Sequence, residues 1–258
     1  MSKPFSTFVW HELMTTDLTA ATNFYTEVVG WRAADSGMAG FDYTLVYTGE
    51  QRVAGLMSMP EDAPPGMPPC WVGYIGVADI DRTVADLFEK GAAIIEQPRD
   101  IPGVGRFAVI ADPHGAVFSL FSTDDGDMGP QLPPGSNGQV GWNELMAGDL
   151  DSAWSFYSSA FGWTRDMAVD MGGMGLYQTF GVDGGPAFGG MMTKPKDIPA
   201  PPHWGYYFTV DAIEAAAERV KAHGGQVLMG PMEVPGSSWI INCIDPQGAH
   251  FNLVSMKR

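Results

Sequence analysis

Cysteine is scarce, cations are few and long apolar runs are missing from this sequence of 258 residues. The two thiols, Cys70 and Cys243, cannot build the disulfide framework of a small secreted domain, so a reduced, cytoplasmic protein is expected. The 14 Lys and Arg are outnumbered by 30 Asp and Glu, giving a formal charge of -16. That field repels phosphate backbones and anionic headgroups, which argues against nucleic acid and membrane surfaces as partners. No stretch approaches the roughly 18 apolar residues of a membrane span. His11 and Glu12 interrupt the opening segment where a secretory signal needs an unbroken apolar core. The histidines, His11, His114, His203, His223 and His250, have no short ligand spacing and are expected as dispersed surface or turn residues. What is abundant is hydrophobic residues, 45% of the chain, over a length that fits two compact domains or one large one.

The chain repeats itself. Trp10-His11-Glu12-Leu13-Met14 returns as Trp142-Asn143-Glu144-Leu145-Met146 after 132 residues, and Phe24-Tyr25 with Gly30-Trp31 returns as Phe156-Tyr157 with Gly162-Trp163. Asp112-Pro113-His114-Gly115-Ala116 returns as Asp245-Pro246-Gln247-Gly248-Ala249, 133 residues on. So long a period exceeds the roughly 20 to 50 residues of solenoids and propellers, so each copy is domain-sized. Residues 1–122 form the first module and 140–258 the second. The Asp-, Gly-, Pro- and Ser-rich segment 123–139 is the linker.

Each half of each copy reads strand, helix, then three strands. In the first copy an extended start from Phe8 to Thr15 precedes a helix capped by Asp17 and stopped by Gly30, with Leu18, Ala21, Phe24 and Val28 on one face. Short strands at Tyr43 to Tyr47 and Val53 to Met59 lead into a Pro-rich connector. The order recurs with a strand from Trp71 to Val77, then a helix from Asp79 to Lys90 with Ile80, Val84, Leu87 and Phe88 inward and Gly91 as cap. Strands at Ala92 to Glu96, Arg106 to Ala111 and Ala116 to Ser122 complete it. The second copy follows suit.

Paired strand-helix-three-strand units, with Phe-Tyr near the first helix and Asp-Pro-x-Gly before the last strand, resemble the vicinal oxygen chelate superfamily of glyoxalase I, bleomycin-resistance proteins and extradiol dioxygenases. The resemblance spans nearly the whole chain outside the linker. The Trp-x-Glu-Leu opening and Val-Gly-Arg-Phe-Ala-Val before Asp-Pro are similar to a two-copy actinobacterial group of glyoxalase-like or hydroxylase proteins. The implied fold is α+β: a tandem duplication whose four units form two cupped mixed sheets with helices outside.

The resemblance also says where a metal would be held. Metal-using members place one ligand on the first strand, a position that here holds Trp10 and, in the second copy, Trp142. Their last-strand Glu becomes Ser119 and Asn252, the fifth-strand position holds Val72 and Gly205, and the fourth-strand position falls near Gly55 to Met57 and Gly189 to Met191. Indole offers an N–H and no lone pair, and the other positions lack carboxylate and imidazole, so no metal or other cofactor is expected.

Strand alternation places Glu12 and Met14 on the same face as Trp10, and Glu144 and Met146 on the face of Trp142. The same parity adds Tyr74, Phe107, Val109, Val117 and Ser119 to the first cup, and Tyr207, Ile240, Asn242, His250 and Asn252 to the second, which is the more polar. A carboxylate beside Trp and Met gains a raised pKa by desolvation and suits general acid or base work. Glu144 with His250 is the candidate pair, and Glu12 its counterpart. The competing reading is that both acids serve the fold by bonding a Tyr hydroxyl or a backbone N–H. Trp10 and Trp142 line the cups, whereas Trp71 and Trp204 point toward the helices. Arg106 lies at the rim, where it could steady an anionic group or remain a solvated charge. The glycine runs at Gly103-Val104-Gly105 and Met171 to Gly175 lack a phosphate-loop Lys and read as loops, not nucleotide sites.

Three functions follow in order of preference. The first is a metal-free enzyme or biosynthetic accessory that moves a proton on an aromatic or carbonyl-bearing small molecule, of lyase or isomerase type or a hydroxylase-group member without the usual ligands. The second is a ligand-sequestering protein of the bleomycin-resistance kind. The third is a metal-dependent glyoxalase or extradiol dioxygenase. Either a monomer or a homodimer is compatible with two fused copies.

Overall fold

A computed structural model describes residues 5–38, 40–127, 129–130 and 132–258. The first copy supplies β1 (Phe8–Thr15), α1 (Leu18–Val29), β2 (Arg32–Asp35), β3 (Tyr43–Thr48), β4 (Gln51–Ser58), β5 (Cys70–Gly76), α2 (Ile80–Glu89), β6 (Ala93–Ile101), β7 (Gly105–Ala111) and β8 (Val117–Ser122). The second supplies β9 (Val140–Ala147), α3 (Leu150–Phe161), β10 (Trp163–Asp170), β11 (Leu176–Val182), β12 (Gly189–Thr193), β13 (His203–Thr209), α4 (Ile213–Ala222), β14 (Gln226–Val234), β15 (Ser238–Ile244) and β16 (His250–Ser255). The strands hydrogen-bond into two mixed sheets of eight, so the fold is α+β. Among the described residues no helix is long and apolar enough to cross a membrane.

Local chemistry sets the helix ends. Asp17 and Asp149 accept the Ala20 and Ser152 N–H groups at 2.9 and 2.8 Å, and Gly30 and Gly162 close α1 and α3 in the left-handed conformation. Asp79 caps α2 in the same way, whereas α4 begins at Ala212 without a side-chain cap. Two expectations need correction. Phe88 on α2 is 66% exposed, not inward, because Ile80, Val84 and Leu87 already fill the buried stripe. His11 is 5% exposed, not a surface residue, because strand parity turns it away from Trp10 and Glu12 and packs its ring edge-on against Tyr206 at 4.8 Å.

The compact units do not coincide with the repeats in sequence. One unit combines residues 1–9, 72–131 and 142–204, and the other combines 10–71, 132–141 and 205–258, so each takes one half from each copy. The second unit contains the strand orders β2-β3-β4-β1 and β13-β16-β15-β14, and the first contains β10-β11-β12-β9 and β5-β8-β7-β6. Within each, β1 with β4, β13 with β16, β9 with β12 and β5 with β8 run parallel and the remaining neighbours antiparallel.

The repeated aromatic and Asp-Pro motifs explain how each unit closes. In the second unit, Tyr25 on α1 donates to Asp245 at 3.0 Å and accepts from the Trp71 indole at 2.9 Å. In the first unit, Tyr157 on α3 donates to Asp112 at 3.2 Å and accepts from Trp204 at 3.0 Å. The first copy's tyrosine therefore bonds the second copy's Asp-Pro turn, and the reverse. The other oxygen of each aspartate holds two backbone N–H groups of its own turn. Trp31 and Trp163 complete the pattern with 2.7 Å bonds to the carbonyls of Gly138 and Ser6. Buried polar tips are thus paired while the rings pack against Phe208 and Phe251 in one core, and Phe118 and Phe180 in the other.

Candidate functional site

The two opening strands share a construction that begins with a glycine. Glu12 on β1 lies opposite Gly55 on β4, and Glu144 on β9 lies opposite Gly190 on β12. Tyr43 on β3 pairs with Met57, which makes Gly55 its diagonal neighbour, and Tyr177 on β11 stands in the same relation to Gly190. With no side chain in the way, each ring lies over its glycine: a Cβ built on Gly55 would collide with the Tyr43 ring and hydroxyl, and one on Gly190 with those of Tyr177. Tyr43 can then reach across β4, where its hydroxyl donates to Glu12 Oε2 at 2.7 Å and accepts from Trp10 Nε1 at 3.0 Å. Trp142 Nε1 donates to Tyr177 Oη at 2.7 Å in the second copy. Burial, followed by the negative charge of Glu12, holds the Tyr43 hydroxyl well above the usual phenol range, so Tyr43 is a neutral donor at physiological pH.

The face expected to carry the site is the half-buried one: Trp10, Glu12 and Met14 are intermediate in exposure, as are Trp142, Glu144 and Met146, while His11, Leu13, Asn143 and Leu145 between them are buried. Trp71 and Trp204 do turn to the helices, as their bonds to Tyr25 and Tyr157 require. Tyr43 and Tyr177 were not foreseen. Their signal lies in a recurring Tyr followed at the same register by Gly on the next strand.

On the closing strands, partners in register form one row per copy. In the first unit the row is Glu96, Val109, Ser119 and Tyr74, with the Tyr74 and Phe107 rings 6.5 Å apart. Ser119 is buried and its hydroxyl has no hydrogen-bond partner among the described residues. In the second unit the row is Met229, Asn242, Asn252 and Tyr207, and here the polar groups bond one another: Asn242 Nδ2 donates to Asn252 Oδ1 at 2.6 Å and to Tyr207 Oη at 3.4 Å. His250 opens β16 and is exposed, in the second unit, whereas Glu144 belongs to the first. Arg106 is taken up by Asp81 at 3.0 Å and Asp100 at 2.6 Å, the solvated surface arrangement. His114, His203 and His223 lie at turns or element ends.

The model of the Glyoxalase/Bleomycin resistance protein/Dioxygenase superfamily matches twice, over residues 7–120 and 139–253. The chain belongs to this superfamily. CFP32 of Mycobacterium tuberculosis is 34% identical over 95% of this chain and 93% of its own length. The anthracycline biosynthesis protein DnrV of Streptomyces peucetius is 29% identical over 96% of this chain and 92% of its own. Among solved structures, the Mn(II)-bound glyoxalase from Novosphingobium aromaticivorans covers all of this chain with 84% of that chain aligned, at a TM-score of 0.68 and 14% identity. The dioxygenase LapB from Pseudomonas sp. KL28 covers 95% of this chain and 90% of its own at a TM-score of 0.64 and 13% identity. At such identities these two establish the superfamily fold alone.

That superfamily includes metal-binding members, so the donor set here matters. The first-strand positions carry indoles whose N–H groups already donate to tyrosines, and an N–H cannot ligate a cation. A donor side chain grown at Gly55 or Gly190 would enter space filled by Tyr43 or Tyr177. The last-strand positions hold a hydroxyl and an amide. Among the described residues no three His, Cys, Asp or Glu side chains converge as a metal cluster requires. These residues do not fit a divalent cation, which prefers several converging anionic or imidazole donors.

Proposed function

We propose that this superfamily member binds a small aromatic or carbonyl-bearing molecule and moves a proton on it with the opening-strand carboxylates Glu12 and Glu144, without a resident metal. The observation that carries this reading is the Trp10–Tyr43–Glu12 chain, which fixes a carboxylate beside an indole and a phenol on a half-buried strand face. A carboxylate in that hydrogen-bonded chain supports a proton-transfer role, with the tyrosine proton on the same path. In the second unit the proposal adds His250 as a further titratable group and Met14, Tyr207, Asn242 and Asn252 as ligand contacts, and in the first unit it adds Trp142, Met146, Tyr74 and Ser119. A biosynthetic role is in keeping with the names of the Streptomyces relatives. Action as a cytoplasmic monomer or homodimer, with modules 1–122 and 140–258, belongs to the same proposal.

Proton transfer next to a carbonyl is read directly by solvent exchange. Incubated in D2O with an aryl ketone such as 1-tetralone, the protein is expected to speed deuterium entry at the α-carbon, followed by NMR. Glu144→Gln or Glu12→Gln alone should lower that exchange, and the double variant should abolish it, while leaving the affinity for the ketone within about twofold. Exchange that persists in the double variant would overturn the reading. A second reading, sequestration without chemistry, is favoured by the Tyr43 hydroxyl already engaging Glu12. Saturable binding with no exchange in the native protein would select it.

A further inference from the structure

The closing strands of the two copies carry opposite polarities. On the edge strand of the first copy, Glu96 and Arg99 form an ion pair at 2.9 Å, and the Arg99 guanidinium covers the Phe107 ring at 5.0 Å. The equivalent edge positions of the second copy are Met229 and Met232, 46% and 39% exposed, opposite Asn242 and Ile240. Inside the edge the pattern reverses, with Val109 and Ser119 in the first copy against Asn242 and Asn252 in the second.

The amide orientations follow from a fixed carbonyl. Asn252 Nδ2 lies 3.4 Å from the backbone oxygen of Tyr206, which accepts only, so the NH2 group must face it. Asn252 Oδ1 therefore faces Asn242, and Asn242 must present its own NH2 there, at 2.6 Å. Both Asn242 hydrogens are then used, on Asn252 and Tyr207. What Asn242 has left is Oδ1, an acceptor with no protein donor among the described residues, on a half-buried residue whose register partner on β14 is Met229.

We infer that the closing face of the second copy selects a planar apolar ligand that donates a hydroxyl proton to Asn242 Oδ1 and lays its ring against Met229 and Met232. Flexible, polarizable methionines suit an aromatic ring, and an unpaired amide oxygen rewards a donor and rejects an ether. The first copy, with its edge closed by an ion pair, lacks this acceptor. The inference rests on the ligand-binding reading above and names the ligand class.

Two probes that share one ring system and differ by a methyl group on the oxygen test it, 2-naphthol and 2-methoxynaphthalene, titrated calorimetrically into the full chain. The naphthol should bind about tenfold tighter, the discrimination of one good hydrogen bond. Asn242→Leu should bring the ratio to about one. Met229→Glu with Met232→Arg, which installs the first copy's edge on exposed positions, should weaken both probes by about tenfold and leave the ratio unchanged. With methyl-labelled methionine, the Met229 and Met232 signals of the unmutated protein should shift on naphthol binding, a readout independent of any variant's folding. Equal affinities, a ratio that survives Asn242→Leu, or binding with those methyl signals unmoved would each overturn the inference while sparing the broader reading. No binding of either probe, with ketone exchange intact, would likewise overturn the inference alone. Absence of both would remove the two together.

Discussion

The opening strands of the two copies are alike and the closing strands are not. Trp, Glu, Gly and Tyr recur on β1, β4 and β3 and again on β9, β12 and β11, with the same register and the same indole-to-phenol hydrogen bond. On β6 to β8 and β14 to β16, by contrast, charge and thioether, apolar and amide have changed places. Features that both copies keep satisfy a demand common to both, either of fold or of shared chemistry. Features that diverged are where the copies can differ in what they bind. Duplication thus leaves one half of each module constrained and the other open to specialise.

The largest effects should come from what the copies share most completely, the buried Tyr–Asp locks. Asp245→Ala and Asp112→Ala each strand a tyrosine hydroxyl and two turn N–H groups, so each should cost about 3–5 kcal/mol in urea unfolding. Unequal losses would break the equivalence of the two units. Gly55→Val and Gly190→Val should follow at about 1–3 kcal/mol, since each drives a side chain into a tyrosine ring that lies over the strand. Tyr43→Phe, which removes a hydrogen-bond partner from Glu12 and from Trp10, should cost about 1–2 kcal/mol.

Smaller effects concern titration. Burial raises the Asp245 carboxyl above its usual range, against the opposing pull of its hydrogen bonds. A raised folded-state pKa favours the native state when the group is protonated. That contribution is full below the unfolded pKa of about 3.9 and is lost as pH rises through the folded value. The stability of Asp245→Asn relative to the native protein should therefore improve from pH 3 to pH 7, and a flat difference would contradict the burial argument. Burial also lifts the Cys70 thiol to about 11 and the Cys243 thiol to about 12. Both should label slowly with a disulfide reagent at pH 8, more slowly than in the denatured chain, because the thiolate is the reactive form.

Much of the fold was legible because its signals are local. Asp17, Asp79 and Asp149 cap helices, Gly30 and Gly162 end them, and strand parity separates Trp10 from His11. The short edge strand β2 went unnamed because Arg32-Ala33-Ala34-Asp35 has neither alternation nor β-branched residues. The exchange between copies could not be read at all: Asp112 and Asp245 carry the same motif, so the sequence cannot say which of them Tyr25 will bond. The acids of the site are legible in the sequence, as is their need for a tyrosine or backbone partner. Which tyrosine was hidden, because Tyr43 reaches Glu12 diagonally across a third strand at a glycine.

Indole, glycine and amide or hydroxyl stand where a cation would need donors. Titration of chelator-treated protein with Mn(II), followed by electron paramagnetic resonance, tests this most directly. The expected result is free aqueous Mn(II) throughout, with no stoichiometric site. One or two bound ions per chain, lost in Glu12→Gln and Glu144→Gln, would contradict it.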